Sequence, residues 1–104
     1  MTTNQERQLD ALGDPTRRAV LKLLRNGPMP VTDIARRFPI SRPAISQHLR
    51  ILKDARLVTD EASGTRRIYR LNPAEFASLQ QFFQLFWTQS LQAFKEKVED
   101  GSDH

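Results

Sequence analysis

The segment Phe38-Pro39-Ile40-Ser41-Arg42-Pro43 places a helix stop and a helix start within a few residues of each other. Val31, Ile34, Ala35 and Phe38 recur at helical spacing, which predicts a helix of about two turns that Pro39 cannot continue. Ser41 is a side chain that caps a helix N-terminus, and proline at 43 fits a first turn. Two short helices must therefore meet at a tight turn. In the second, running to about Asp54, Ile45, Leu49 and Leu52 form one inward stripe, while Pro43, Gln47, Arg50 and Asp54 face away.

The flanking elements follow from similar signals. Gln5 to Leu12 reads as a short helix ending before Gly13. Asp14-Pro15 is a cap followed by first-position proline; Val20, Leu21, Leu23 and Leu24 give that helix a buried face, and Asn26-Gly27 stops it. Pro28-Met29-Pro30 reads as a rigid elbow. Residues 57–61 and 67–71 flank a loop at 62–66 in which Gly64 can take positive φ, predicting a β-hairpin with an exposed, basic tip. Asn72-Pro73-Ala74-Glu75 resembles a capping box and opens a helix to about Val98, on the order of 38 Å long. The expectation is one domain over residues 1–98, mainly α with a β-hairpin wing, and a disordered tail at 99–104.

That last helix is too apolar for one neighbour. On a wheel, Leu79, Phe82, Phe83, Phe86, Trp87, Leu91 and Phe94 share with Phe76, Ala93 and Val98 an arc of about 180°, whereas docking on a single partner needs closer to ~100°. The surplus predicts a homodimer built on this helix.

Composition removes several classes of function. A chain of 104 residues has little room for a large catalytic cleft, and with no cysteine it holds no disulfide, thiolate metal site or cysteine nucleophile. Neither a serine–histidine–acid set nor a glycine-rich phosphate loop is apparent, so no enzyme is expected. No apolar run is long enough to span a bilayer and the first residues lack signal-peptide character, so no membrane is expected and the location expected is cytoplasmic. Charge is uneven: residues 1–40 carry +3, residues 41–72 carry +4 and residues 73–104 carry −3. A basic body with an acidic end suits a polyanion partner.

Helix, tight turn, capped helix and basic hairpin follow the order of a winged helix-turn-helix, whose second helix enters the major groove of double-stranded DNA. Arg42, Ser46, Gln47 and Arg50 have the donors and acceptors to read base edges. Ser41, His48 and Thr65 can meet phosphates, Arg66 and Arg67 can follow the minor groove from the wing, and Arg17, Arg18, Arg36 and Arg37 can add backbone contacts. Two copies related by a two-fold axis would read an inverted repeat with half-sites ~34 Å apart.

Leu12-Gly13-Asp14-Pro15-Thr16-Arg17-Arg18, Ile40-Ser41-Arg42-Pro43-Ala44-Ile45-Ser46-Gln47-His48-Leu49 and Arg66-Arg67-Ile68-Tyr69-Arg70-Leu71 together resemble the ArsR/SmtB family. The resemblance implies a homodimeric winged-helix repressor with the first and last helices at the interface, adding Leu9 and Leu12 to the dimer residues. Many members release DNA on binding a metal ion, through two cysteines on the third helix or through His and carboxylates on the last. Here Pro30 and Thr32 stand at the cysteine positions, and Phe76 to Lys97 contains no His, so no metal or other cofactor is expected. Arg56 stands where the family often has glycine after the fourth helix. Two alternatives differ from this reading. One is a repressor sensing an apolar small molecule among Phe82, Phe83, Phe86 and Trp87; the other is a winged helix that binds protein or RNA, which lacks the aromatic stacking platform RNA would need.

Overall fold

Thr3 opens the first helix with a complete capping box: its hydroxyl accepts the Glu6 N–H at 3.1 Å while the Glu6 carboxylate accepts the Thr3 N–H at 3.0 Å. The computed structural model describes residues 3–102. In chain order the elements are α1 (Asn4–Leu12), α2 (Pro15–Leu24), β1 (Met29–Pro30), α3 (Val31–Ala35), α4 (Arg42–Asp54), β2 (Val58–Ser63), β3 (Arg66–Leu71) and α5 (Pro73–Ser102). The winged helix-turn-helix order expected from the sequence is present, with α3 and α4 as the turn's two helices and β2–β3 as the wing.

The structure differs from these expectations in four places. Met29-Pro30 is not only an elbow. It pairs antiparallel with Tyr69 and Ile68, making an edge strand in a sheet of order β1-β3-β2, and proline is tolerated at an edge because one side of the strand needs no donor. α3 stops at Ala35 rather than Phe38. The residue before a proline avoids the helical region, so the chain tightens through bonds from the Arg37 N–H to the Ile34 carbonyl and from the Phe38 N–H to the Ala35 carbonyl. The hairpin strands extend to Ser63 and Arg66, leaving a loop of only Gly64-Thr65, in which Gly64 has φ +63°. α5 passes Val98 and includes residues 99–102, so that stretch continues the helix rather than standing as a separate tail. Residues 103 and 104 lie outside the described residues.

The core is built where these elements converge. Val20 of α2, Ile34 of α3, Ile45, Leu49 and Leu52 of α4, Leu57, and Val58 of β2 are fully buried, each contributing about 1.5–3 kcal/mol when removed from water. Gln8 is buried with them and donates to the Ala55 carbonyl at 3.1 Å and the Glu75 carboxylate at 2.9 Å, tying α1 to the end of α4 and the start of α5. α4 ends in a Schellman motif. The Arg56 N–H donates to the Lys53 carbonyl and the Leu57 N–H to the Leu52 carbonyl, with Arg56 at φ +64° in the place usually taken by glycine. Leu79 docks the beginning of α5 on this core and Phe83 packs against it one turn further on, after which the helix leaves it. The radius of gyration is therefore 18.3 Å, against roughly 13 Å for a compact chain of this size.

Candidate nucleic-acid interface

Ser41 caps α4 by accepting the Ala44 N–H at 3.2 Å, and Ile45, Leu49 and Leu52 hold the helix by its inner stripe. At about 100° per residue, Arg42, Ser46, Arg50 and Lys53 then fall in one outward row with Gln47 beside it, and all five are exposed. The four base-reading candidates are thus on one accessible face. Arg42 also borders a cleft of about 110 Å3 lined by Val31, Thr32, Thr65, Arg66 and Arg67, so the N-terminal end of α4 and the wing tip face the same space.

The wing is fixed to α4 through a residue the sequence reading passed over. The Asp60 side chain is 4% exposed, and its carboxylate receives Lys53 Nζ at 2.9 Å and Arg67 Nε at 2.7 Å. Burial opposes ionisation at Asp60, but the hydrogen bonds from Lys53 and Arg67 outweigh it and hold the carboxyl below its usual range. Tyr69, opposite Asp60 on β3, is pushed up by burial and by the Asp60 charge. The usable signal was strand alternation, which puts Asp60 and Arg67 on one face of the hairpin as a diagonal pair. Further along, Arg70 pairs with Glu61, and Asp33 of α3 lies 3.6 Å from Arg66 and 3.8 Å from Arg36. Arg37 and Thr65 are exposed, at the turn and the wing tip respectively.

Two of the residues expected to make backbone contacts have partners within the protein, Arg17 partly buried and Arg18 exposed. Arg17 donates to the carbonyls of Ala11 at 2.8 Å and Asp10 at 3.2 Å, and Arg18 to that of Leu12 at 2.7 Å. Both satisfy the open C-terminus of α1, which explains the Gly13-Asp14-Pro15-Thr16-Arg17-Arg18 string as a joint between two helices. His48 is half-buried on the inner flank of α4, with Nδ1 3.5 Å from the Arg17 guanidinium and 3.8 Å from the Asp14 carboxylate. Asp14 is held below its usual range first by the Arg17 N–H it accepts.

The face expected to make a dimer divides at Phe83. Leu79 is 5% exposed in the protomer's own core, and Phe76 and Phe83 pack against that core, because α5 still lies on the body there. Leu79 is therefore corrected from an interface residue to a core residue. Beyond, Leu85, Phe86, Trp87, Leu91, Phe94 and Val98 are each 50–66% exposed, with Phe82 and Leu9 at 36%; Leu12 is partly buried. Phe82 stacks on Phe86, which meets Trp87 edge-on, so these rings form a surface row rather than the wall of an enclosed space. Leu85 was not among the residues expected there.

A model of the bacterial regulatory protein arsR family matches residues 14–60. The HTH-type transcriptional regulator Rv2034 of Mycobacterium tuberculosis is 45% identical over 98 residues, covering 94% of this chain and 92% of that protein. The chain belongs to the arsR family. The transcriptional repressor SdpR of Bacillus subtilis is 50% identical over 62 residues, 60% of this chain and 69% of the repressor. Among solved structures, the homodimeric winged helix-turn-helix DNA-binding domain of a possible ArsR-family transcriptional regulator from Mycobacterium bovis superposes with a TM-score of 0.68 at 29% identity, over 83% of this chain and 80% of that one.

The metal chemistry that many arsR-family proteins use does not fit these residues. Pro30 is paired in β1 and caps α3 without a side-chain ligand, Thr32 is no thiolate, and among the described residues no group of three or more His, Asp or Glu side chains could hold an ion. No described helix is long and apolar enough to cross a membrane.

Proposed function

We propose that this arsR-family chain is a homodimeric repressor that acts in the cytoplasm by binding an inverted repeat in double-stranded DNA and occluding a promoter. It works by binding rather than catalysis, without a metal or other cofactor. The observation that carries the reading is the exposed row of Arg42, Ser46, Arg50 and Lys53 with Gln47 at its edge, on a helix whose inner face is locked in the core.

Arg42, Ser46, Gln47 and Arg50 read bases, each good bidentate pair contributing about 1–3 kcal/mol of discrimination. Ser41, Thr65, Arg66 and the exposed Arg36 and Arg37 set register on phosphates. Arg67 positions the wing through Asp60 and meets the backbone with its remaining donors. Arg17 and His48 support α4 from behind, while Arg18 ties α2 to the end of α1. α5 holds two such heads at the separation of one helical turn, ~34 Å.

A binding selection from random duplexes tests this. The expected product is a palindrome of two half-sites one turn apart. Gln47→Ala relaxes preference at one position of each half-site, whereas Arg66→Ala weakens all sequences alike and flattens the salt dependence. Selection of a single asymmetric half-site, or no preference over bulk competitor DNA, overturns the proposal.

A further inference from the structure

We infer that the groove between the end of α1, α2 and the first turn of α5 binds an amphipathic carboxylate, an acid with a medium-length apolar tail, and that this ligand is an effector of the protein's grip on DNA. The effector role rests on the repressor reading; the binding does not. The groove spans about 380 Å3 over a floor of Leu12, Leu21, Leu71 and Phe76, and its exposed wall is almost wholly apolar. At roughly 30 Å3 for each water-sized group, that space takes about a dozen non-hydrogen atoms, the size of decanoate.

Charge at the mouth chooses the head group. Leu21 of the floor shares a face of α2 with Arg18, Lys22 and the C-cap Arg25, which stand three or four residues apart. Arg18 is already engaged, donating to the Leu12 carbonyl at 2.7 Å, and so forms part of the wall. Lys22 and Arg25 are exposed, and neither pairs with a carboxylate among the described residues. α2 itself contains no acidic residue. An anionic head therefore meets two cations where a cationic one would be repelled, and the Arg25 guanidinium offers the fork that a carboxylate accepts.

The floor also ties the groove to the reading head. Leu71 closes β3 of the wing opposite Val58, and the Phe76 N–H donates to the Asn72 carbonyl at 3.3 Å in the first turn of α5. A tail lying on both side chains touches the wing's last strand and the root of the long helix at once. A ligand moves an equilibrium only as far as it prefers one state over the other, and a seat that straddles two elements gives it that preference whenever their angle changes. Leu12, expected among the dimer residues, is partly buried on this floor, so the inference requires that the partner leave the groove open.

Calorimetry on the purified chain, its dimer checked by sedimentation, tests the site with straight-chain carboxylates kept below micelle formation. A half-open trough covers one side of the tail, so each added methylene should tighten binding about twofold, half the free energy of full burial. The gain should level off near about ten carbons, where the groove is full. Replacing both exposed cations, Lys22→Ala with Arg25→Ala, should weaken octanoate about fivefold and leave 1-octanol unchanged. A decanoate analogue with a diazirine in its tail should label residues 12–25 or 71–76. Equal binding of decyltrimethylammonium, labelling confined to the outer half of α5, or binding only to a monomeric Phe86→Glu variant overturns the inference. Attachment to phosphatidylglycerol vesicles without binding of free decanoate overturns it in favour of a membrane surface. For the effector role, saturating decanoate should change operator affinity about fivefold or more, and operator DNA should change decanoate affinity by the same factor. Unchanged operator affinity overturns that role. A chain that binds decanoate but prefers no duplex sequence overturns the repressor reading while the site stands.

Discussion

The body of the molecule and the outer half of α5 contain similar apolar side chains in opposite circumstances. From α1 to β3 most large aliphatic residues are enclosed, Leu9 and Ile40 being the exposed exceptions, and even Gln8 and Asp60, the polar groups that enter, are matched by hydrogen-bond partners. From Leu85 onward the aliphatic and aromatic residues lie half or more exposed on a lone helix. The body is a finished solution to burial; the outer helix is half of one. A helix isolated in water is held chiefly by propensity, and its apolar face becomes stabilising only against a second surface. One region therefore sets where the reading groups sit, and the other sets what the protein associates with.

The largest contrast should appear on truncating one leucine in each region. Leu52→Ala empties a fully buried site and should cost about 2–5 kcal/mol in urea unfolding, whereas Leu91→Ala should leave unfolding of the dilute protomer within about 0.5 kcal/mol. Comparable losses would mean that α5 is already covered within one chain. Next is Phe86→Glu, which should yield monomers in sedimentation and weaken operator binding about 100-fold or more, because the second head loses its effective concentration, with circular dichroism unchanged.

Asp60 tests the polar side of the same contrast. Its lowered pKa means that its stabilising ion pairs are present above the ordinary carboxylate range and are lost as pH falls through the folded value. Asp60→Asn should cost about 1–3 kcal/mol at neutral pH and remove that part of the acid dependence, measured as unfolding midpoints from neutral pH down into the carboxylate range. An unchanged acid profile would show that the Lys53–Asp60–Arg67 group does not hold the wing. The smallest effect runs the other way. Arg56→Gly relieves a left-handed side-chain position and should stabilise the body by about 1 kcal/mol without altering dimerisation.

What could be read from the sequence was local. Ser41, Pro43, Asp14 and Gly64 each announce a cap or turn through their own chemistry, and all four do what that chemistry dictates. Arg56 was legible only through the resemblance, which puts glycine at its position, and the structure gives it a left-handed φ of +64°. β1 was not, because two residues have no periodicity and the strand exists only through pairing with Tyr69 and Ile68 far along the chain. The limit between core and exposed face on α5 was hidden as well. A wheel orders residues around a helix but is silent on where along its length the body ends, so Leu79 and Phe86 looked equivalent. Arg17 and His48 fit a contact list for DNA equally well by residue type, and only their distances to the α1 carbonyls and to each other turn them inward.

A single residue, Asn72, separates the last strand of the wing from the first turn of α5, and it is pinned at both ends of its side: its amide N–H donates to the Leu57 carbonyl and its side chain to the Arg56 carbonyl, both at 3.0 Å. So short a joint has no slack. Any swing of the long rod must carry the wing and the end of α4 with it, which makes the angle between two rods a gauge of the spacing between two heads, and makes that joint the place where a change in association would be converted into a change of grip.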